Sequence, residues 1–147
     1  MPIVSCAIDT DRVLEQVYAC CAIDYMARSE RRPDVLGAGQ REGLRRIACG
    51  AAAELVYRLA PAVKSTSLAS TPDSPIITID VDIPPAAEAL GLRPQLELAL
   101  AASVLSIAYA GADAGMSANY AAMLERCMAE VCRIVFRTDI PGRIEAA

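Results

Sequence analysis

Apolar positions recur along this chain with two different periods. After Asp9-Thr10-Asp11, whose acceptor side chains suit a helix start, Val13, Leu14, Val17, Cys20, Cys21 and Met26 give a first helix one apolar face. Residues 28–39, RSERRPDVLGAG, break it with Pro33, Gly37 and Gly39. A second helix is predicted from Gln40 to Leu59. Leu44, Ile47, Ala48, Ala51, Leu55 and Leu59 follow helical spacing, and Pro61 marks the end. The period then falls to two. Residues 65–71, STSLAST, suit a short strand, and Pro72-Asp73-Ser74-Pro75 has turn chemistry. Ile77, Ile79, Val81 and Ile83 alternate with Thr78, Asp80 and Asp82, so Ile76–Ile83 is a strand stopped by Pro84-Pro85. Its expected partner is 65–71, with the N-terminal PIVSCAI as the alternative.

A third helix begins weakly at Ala86–Leu90, breaks near Gly91 and restarts with Pro94 in its first turn. From Leu96 to Ala110 it is apolar all round apart from Glu97, Ser103 and Ser106, which places it centrally or at a subunit contact. Gly111–Gly115 is a loop, and Ser117 is the expected cap of a fourth helix. Tyr120, Leu124, Cys127, Val131, Ile134 and Val135 line one side of that helix. An Arg126–Glu130 pair is expected on its other side, worth a few tenths of a kcal/mol. The pattern therefore predicts a mainly α, single-domain protein spanning residues 1–147. It is expected to be a four-helix, bundle-like body with a β-hairpin insertion at 65–85 and an extended C-terminal tail at 138–147.

Composition changes this picture in one respect. Hydrophobic residues make up 54% of the 147, yet aromatics only 4%, with no Trp. Much of the apolar share is alanine, which buries little area. Either the helices pack very tightly or apolar surface is left for a partner to cover, and the second is expected. The longest apolar stretch falls short of the ~20 residues that span a bilayer, so no membrane contact is expected. Met1-Pro2-Ile3-Val4 lacks a basic leader, and the chain is expected to be soluble and made in the cytosol.

The formal net charge of −4 argues against general affinity for nucleic acid. Arginine is nevertheless dense at Arg28, Arg31, Arg32, Arg41, Arg45 and Arg46, interleaved with Glu30, Asp34 and Glu42. The plain expectation is a salt-paired surface, and the sharper one is contact with DNA or a protein partner. Six cysteines lack CxxC spacing and there is no histidine, so neither a zinc site nor a disulfide framework is expected. They are expected as small buried hydrophobes in a reducing compartment.

The absence of histidine removes the commonest general base and the Ser-His and Cys-His nucleophile systems. Asp80 and Asp82 share a strand face and could flank a cation, although a solvent face is the commoner use. Gly37-Ala38-Gly39 with Gly43 lacks the strand that a dinucleotide loop must follow. No catalytic activity and no cofactor are expected.

What remains to be explained is the 76–83 strand. A lone hairpin is marginal in water, so its four aliphatic residues must lie on this chain's helices or on a neighbouring chain. An exposed edge would favour the neighbour. The stretch ITIDVDIPPAAEALGLRPQLELALAASVLSIAYAGADAGMSANYAAMLERCMAEV, residues 77–131, runs strand, helix, short Gly/Ala/Asp loop, then a helix around Tyr-Ala-Ala-Met. In that layout the chain resembles the head–tail connector, or head-completion, proteins of tailed bacteriophages. The resemblance implies a virion-neck protein made in the host cytoplasm, forming a homo-oligomeric ring, commonly of about twelve copies. The ring would lie between a portal protein and a stopper or tail protein, with DNA passing through its lumen. On that basis Ile77, Ile79, Val81 and Ile83, with Ile140 and Pro141 of the tail, are the expected protein contacts. The alternative is a soluble helical protein-binding module, chaperone-like or regulatory, working as a dimer.

Overall fold

The computed structural model describes residues 3–28, 40–88 and 91–137, and side chains within them except those of 24–28 and 88. The chain is mostly helical with one small sheet. In order come β1 (Ile3–Asp9), α1 (Thr10–Arg28), α2 (Arg41–Arg58), β2 (Val63–Ser67), β3 (Ile76–Asp82), α3 (Pro85–Glu88), α4 (Leu92–Tyr109) and α5 (Ala114–Val135).

Both candidate partners of the 76–83 strand are used, although the one expected at 65–71 lies earlier, at Val63–Ser67, and residues 68–71 are not strand. The sheet is antiparallel in the order β1-β3-β2, so β3 is its centre. β1 pairs along its whole length, from Ile3 opposite Asp82 to Asp9 opposite Ile76. β2 pairs from Val63 opposite Val81 to Ser67 opposite Thr78, with a register slip between Val63 and Ser65. The period-two pattern of β1 was as strict as that of β3: Val4, Cys6 and Ile8 are buried, whereas Ile3, Ser5 and Ala7 face outward.

The structure corrects the expectation that Ile77, Ile79, Val81 and Ile83 contact a neighbouring chain. All four are buried in the chain's own core, and both edges of β3 are occupied by β1 and β2. A strand paired on both sides has no backbone left to offer.

α4 is the helix on which the other elements meet. It touches α1, α2, α3, α5 and β1. This explains its missing polar face: Leu92, Leu96, Leu100, Val104 and Leu105 are buried, as are Ala99, Ala101, Ala102 and Ala108. The acid in its apolar stretch, Glu97, meets Arg12 of α1 at 3.7 Å. Gly91 precedes α4 with φ of 91°, a backbone state that favours glycine and separates α3 from α4.

α4 and α5 form a tight antiparallel pair. The N-cap of α5 is Asp113, whose carboxylate accepts from the Met116 amide at 3.0 Å, so Ser117 is not the cap. Ser117 lies inside the helix and bonds across to α4: its hydroxyl donates to the Ser106 carbonyl at 2.8 Å, and the Ser106 hydroxyl donates to the Ser117 carbonyl at 3.2 Å. Tyr109 and Tyr120 stack beside this pair with ring centres 5.9 Å apart. On the outer side of α5, Glu130 bonds to Arg133. Arg58 at the end of α2 grips Glu125 with two bonds of 2.8 and 3.1 Å.

Candidate functional site

The most developed polar constellation lies where α1 begins, where α2 begins and where the β2–β3 connection passes both. The Asp9-Thr10-Asp11 start does what its residue types suggest. Asp9 accepts from the Asp11 amide at 2.9 Å, capping α1. Thr10 is fully buried, and both its amide (3.1 Å) and its hydroxyl (2.6 Å) donate to the Pro75 carbonyl. That ties the helix start to the turn ahead of β3. Ser70 joins the knot, its hydroxyl 2.7 Å from that of Thr10.

Arg45 reaches into this knot from α2 and is 3% exposed. Its Nη2 donates to Asp11 at 2.8 Å, its Nη1 to Thr10 at 2.9 Å and to Ser70 at 3.3 Å, and its Nε to Glu42 at 3.2 Å. Burial works against the charge, but the bonds from Asp11 and Glu42 outweigh it and hold the guanidinium above its ordinary pKa. In turn the Arg45 bond, opposed by partial burial and reinforced by Arg41, holds the Asp11 carboxyl below the usual carboxylate range. Arg41 donates to the same Asp11 oxygen at 3.2 Å, with its guanidinium 6.0 Å from the centre of the Tyr18 ring. The Tyr18 hydroxyl is buried with no hydrogen-bond partner among the described residues.

A cleft of about 430 Å³ opens beside the knot, lined by Glu42, Arg45, Arg46, Cys49 and residues 68–72 of the β2–β3 connection. Arg46 stands exposed at it. The Cys49 thiol is pushed up in pKa by burial, which leaves it protonated and a poor nucleophile at neutral pH. Burial does the same to Cys127. No disulfide joins the six cysteines, and no group of three or more metal-ligating side chains gathers among the described residues.

The expected arginine patch is therefore divided. Arg45 is not a surface contact: its charge is spent inside the fold, because Thr10, Asp11, Glu42 and Ser70 surround it. Arg41 is half-committed to Asp11, and Arg46 faces solvent. Arg28 ends α1 and its side chain lies outside the described residues, as do Arg31, Arg32, Ile140 and Pro141. On the outer sheet face Asp80 accepts hydroxyl hydrogen bonds from Ser65 on one flanking strand and Ser5 on the other, which lower its pKa. Its carboxylate works as a cross-strand acceptor.

Sequence reasoning missed the partners of Arg45, although a signal existed. Arg45, Ala48, Ala52, Leu55 and Leu59 recur at three and four residues, and all five are buried. An arginine at the head of such a stripe faces inward and must find acceptors there. No helix among the described residues is long and apolar enough to cross a membrane. Comparison with known protein families, with curated proteins and with solved structures gave no match to this chain.

Proposed function

We propose that this chain is a structural protein without catalytic activity that works through contacts with other protein chains. The specific form of the proposal is a subunit of a ring of the head–tail connector kind, with a bundle-like helical body, bridging a portal and a tail component around a DNA lumen. The observation that carries the reading is how the molecule distributes its groups. The arginine, carboxylates and hydroxyls that the fold brings together bond to one another and stabilise the fold, so the knot around Arg45 presents no unpaired acid, base or nucleophile to a substrate. Meanwhile Ile3, Ile23, Tyr57, Ile76, Ile107 and Phe136 hold large apolar side chains in solvent. Such side chains suit protein contact.

With β3 internal, the described residues that offer contact to a portal or tail are these exposed positions and Arg46, beside the expected contacts Ile140 and Pro141 that lie outside the described residues. The acidic balance suits a lumen through which DNA slides without being gripped. The test is the native mass of the purified protein mixed with the portal protein encoded nearest to it. A ring, or a defined complex with the portal, is the expected result. A protein indifferent to any portal overturns the connector reading.

A further inference from the structure

The two edges of the sheet are built differently. β2 is short, slips register between Val63 and Ser65, and carries Lys64, the only lysine in the chain. A bulge and a lysine are the usual means of blunting an edge strand. β1 has neither. It runs seven residues, IVSCAID, in unbroken register with β3, without proline and without charge before Asp9. Among the described residues no strand pairs with its far side. Ile3, at 56% exposed, stands on its outer face. A long, regular, uncharged edge is a template for another strand.

We propose that in the free protein this edge is covered by β1 of a second copy, antiparallel about a two-fold axis, making one sheet with three strands from each copy. Side-chain alternation restricts the register, since buried positions must face buried positions. Within that restriction the whole strand overlaps only when Cys6 faces Cys6. Val4 then faces Ile8 of the second copy, and Ser5 faces Ala7. Val4, Cys6 and Ile8 continue the inner face across the junction. The one charge in the strand, Asp9, falls opposite Ile3, so no like charges meet. A two-fold contact of this kind closes at two copies. It leaves only the blunted β2 edges outside, which protects the free protein from open-ended pairing.

The inference does not rest on the connector reading. A ring between portal and tail is built from head-to-tail contacts, and the edge-paired dimer is the state of the protein before any partner is met. One strand pair is small beside the roughly 1,000 Å² of a stable interface, so the dimer is a weak and reversible one.

The test is native mass spectrometry with sedimentation of the protein alone. The wild type is expected to be a dimer. Ser5→Lys with Ala7→Lys sets lysine against lysine across the axis, while within one chain Ser5→Lys faces Asp80. That variant should dimerise roughly tenfold more weakly with unchanged helicity. Thr66→Lys on β2 should leave the dimer intact. Hydrogen exchange needs no variant: on dilution, the β1 amides that point away from β3 should lose protection and β2 amides should not. A wild type that stays monomeric, a dimer that survives the lysine pair, or a dilution series that leaves β1 unchanged overturns the proposal. Binding or indifference to a portal protein bears on the connector reading alone.

Discussion

At the scale of single residues, Arg45 and Arg46 form a natural experiment. They are neighbours in sequence and of one type, yet Arg45 is buried among four partners and Arg46 is exposed. Arg45→Ala leaves Thr10 and Asp11 short of a donor. It should cost about 2 kcal/mol in urea denaturation, less than the roughly 3–5 for breaking a fully buried pair, because Asp11 is partly solvated. Arg46→Ala should stay within about 0.5 kcal/mol. Asp11 adds a pH signature. Its folded pKa is lowered, so its contribution is complete above the unfolded value of about 3.9 and fades as pH falls through the folded one. The stability difference between wild type and Asp11→Asn should therefore be constant at neutral pH and shrink below about pH 4. A difference that widens on acidification would reverse the assignment.

At the scale of elements, β3 holds the layers together. It is hydrogen-bonded on both sides and places Ile77, Ile79 and Val81 in the buried core that the sheet shares with the helices. Ile79→Ala should cost about 3 kcal/mol by cavity formation, and Ile79→Asp should abolish cooperative unfolding, with helix and sheet signals lost together. A variant that kept its helicity and changed only its oligomeric state would restore the strand as an intersubunit contact. Much of the element level was legible in the sequence. α1, α2 and β3 lie within a residue or two of their expected bounds, because each combines a strong period with a stop signal such as Pro61 or Pro84-Pro85. β1 was legible only as an alternative, since pattern does not rank two candidate partners. The all-apolar α4 left centre and interface equally open, because composition alone cannot say which neighbours a helix has. Asp113 was missed as the cap because Ser117 is an equally good cap by type. The difference lies in Ser106, whose hydroxyl and carbonyl recruit Ser117 from across the helix pair. The Arg45 knot joins residues up to 65 positions apart, beyond the reach of any local pattern.

At the scale of the whole molecule, the high apolar share resolves mostly inward. The exposed surface is 7792 Å², within about a tenth of the roughly 7,200 Å² expected of a folded monomer of 15.5 kDa. Among the described residues, the expectation that apolar excess is left for a partner narrows to a few large hydrophobic side chains, with Tyr57 the most exposed of them at 80%. Tyr109 is its counterpart: 6% exposed, stacked on Tyr120 and packed between α4 and α5. Tyr109→Ala should remove roughly 3 kcal/mol and lower Tm by about 10 °C. Tyr57→Ala removes a ring that touches mostly water, and Tm should move by less than about 2 °C. The same pair of variants then separates folding from assembly. If Tyr57 belongs to a contact surface, Tyr57→Ala weakens a portal or other protein complex by at least about tenfold while Tm stands still. If the complex is unmoved, contact falls elsewhere, on the other exposed apolar side chains, on Arg46 or on residues outside the described ones such as Ile140 and Pro141, and Tyr57 is only a ring in solvent.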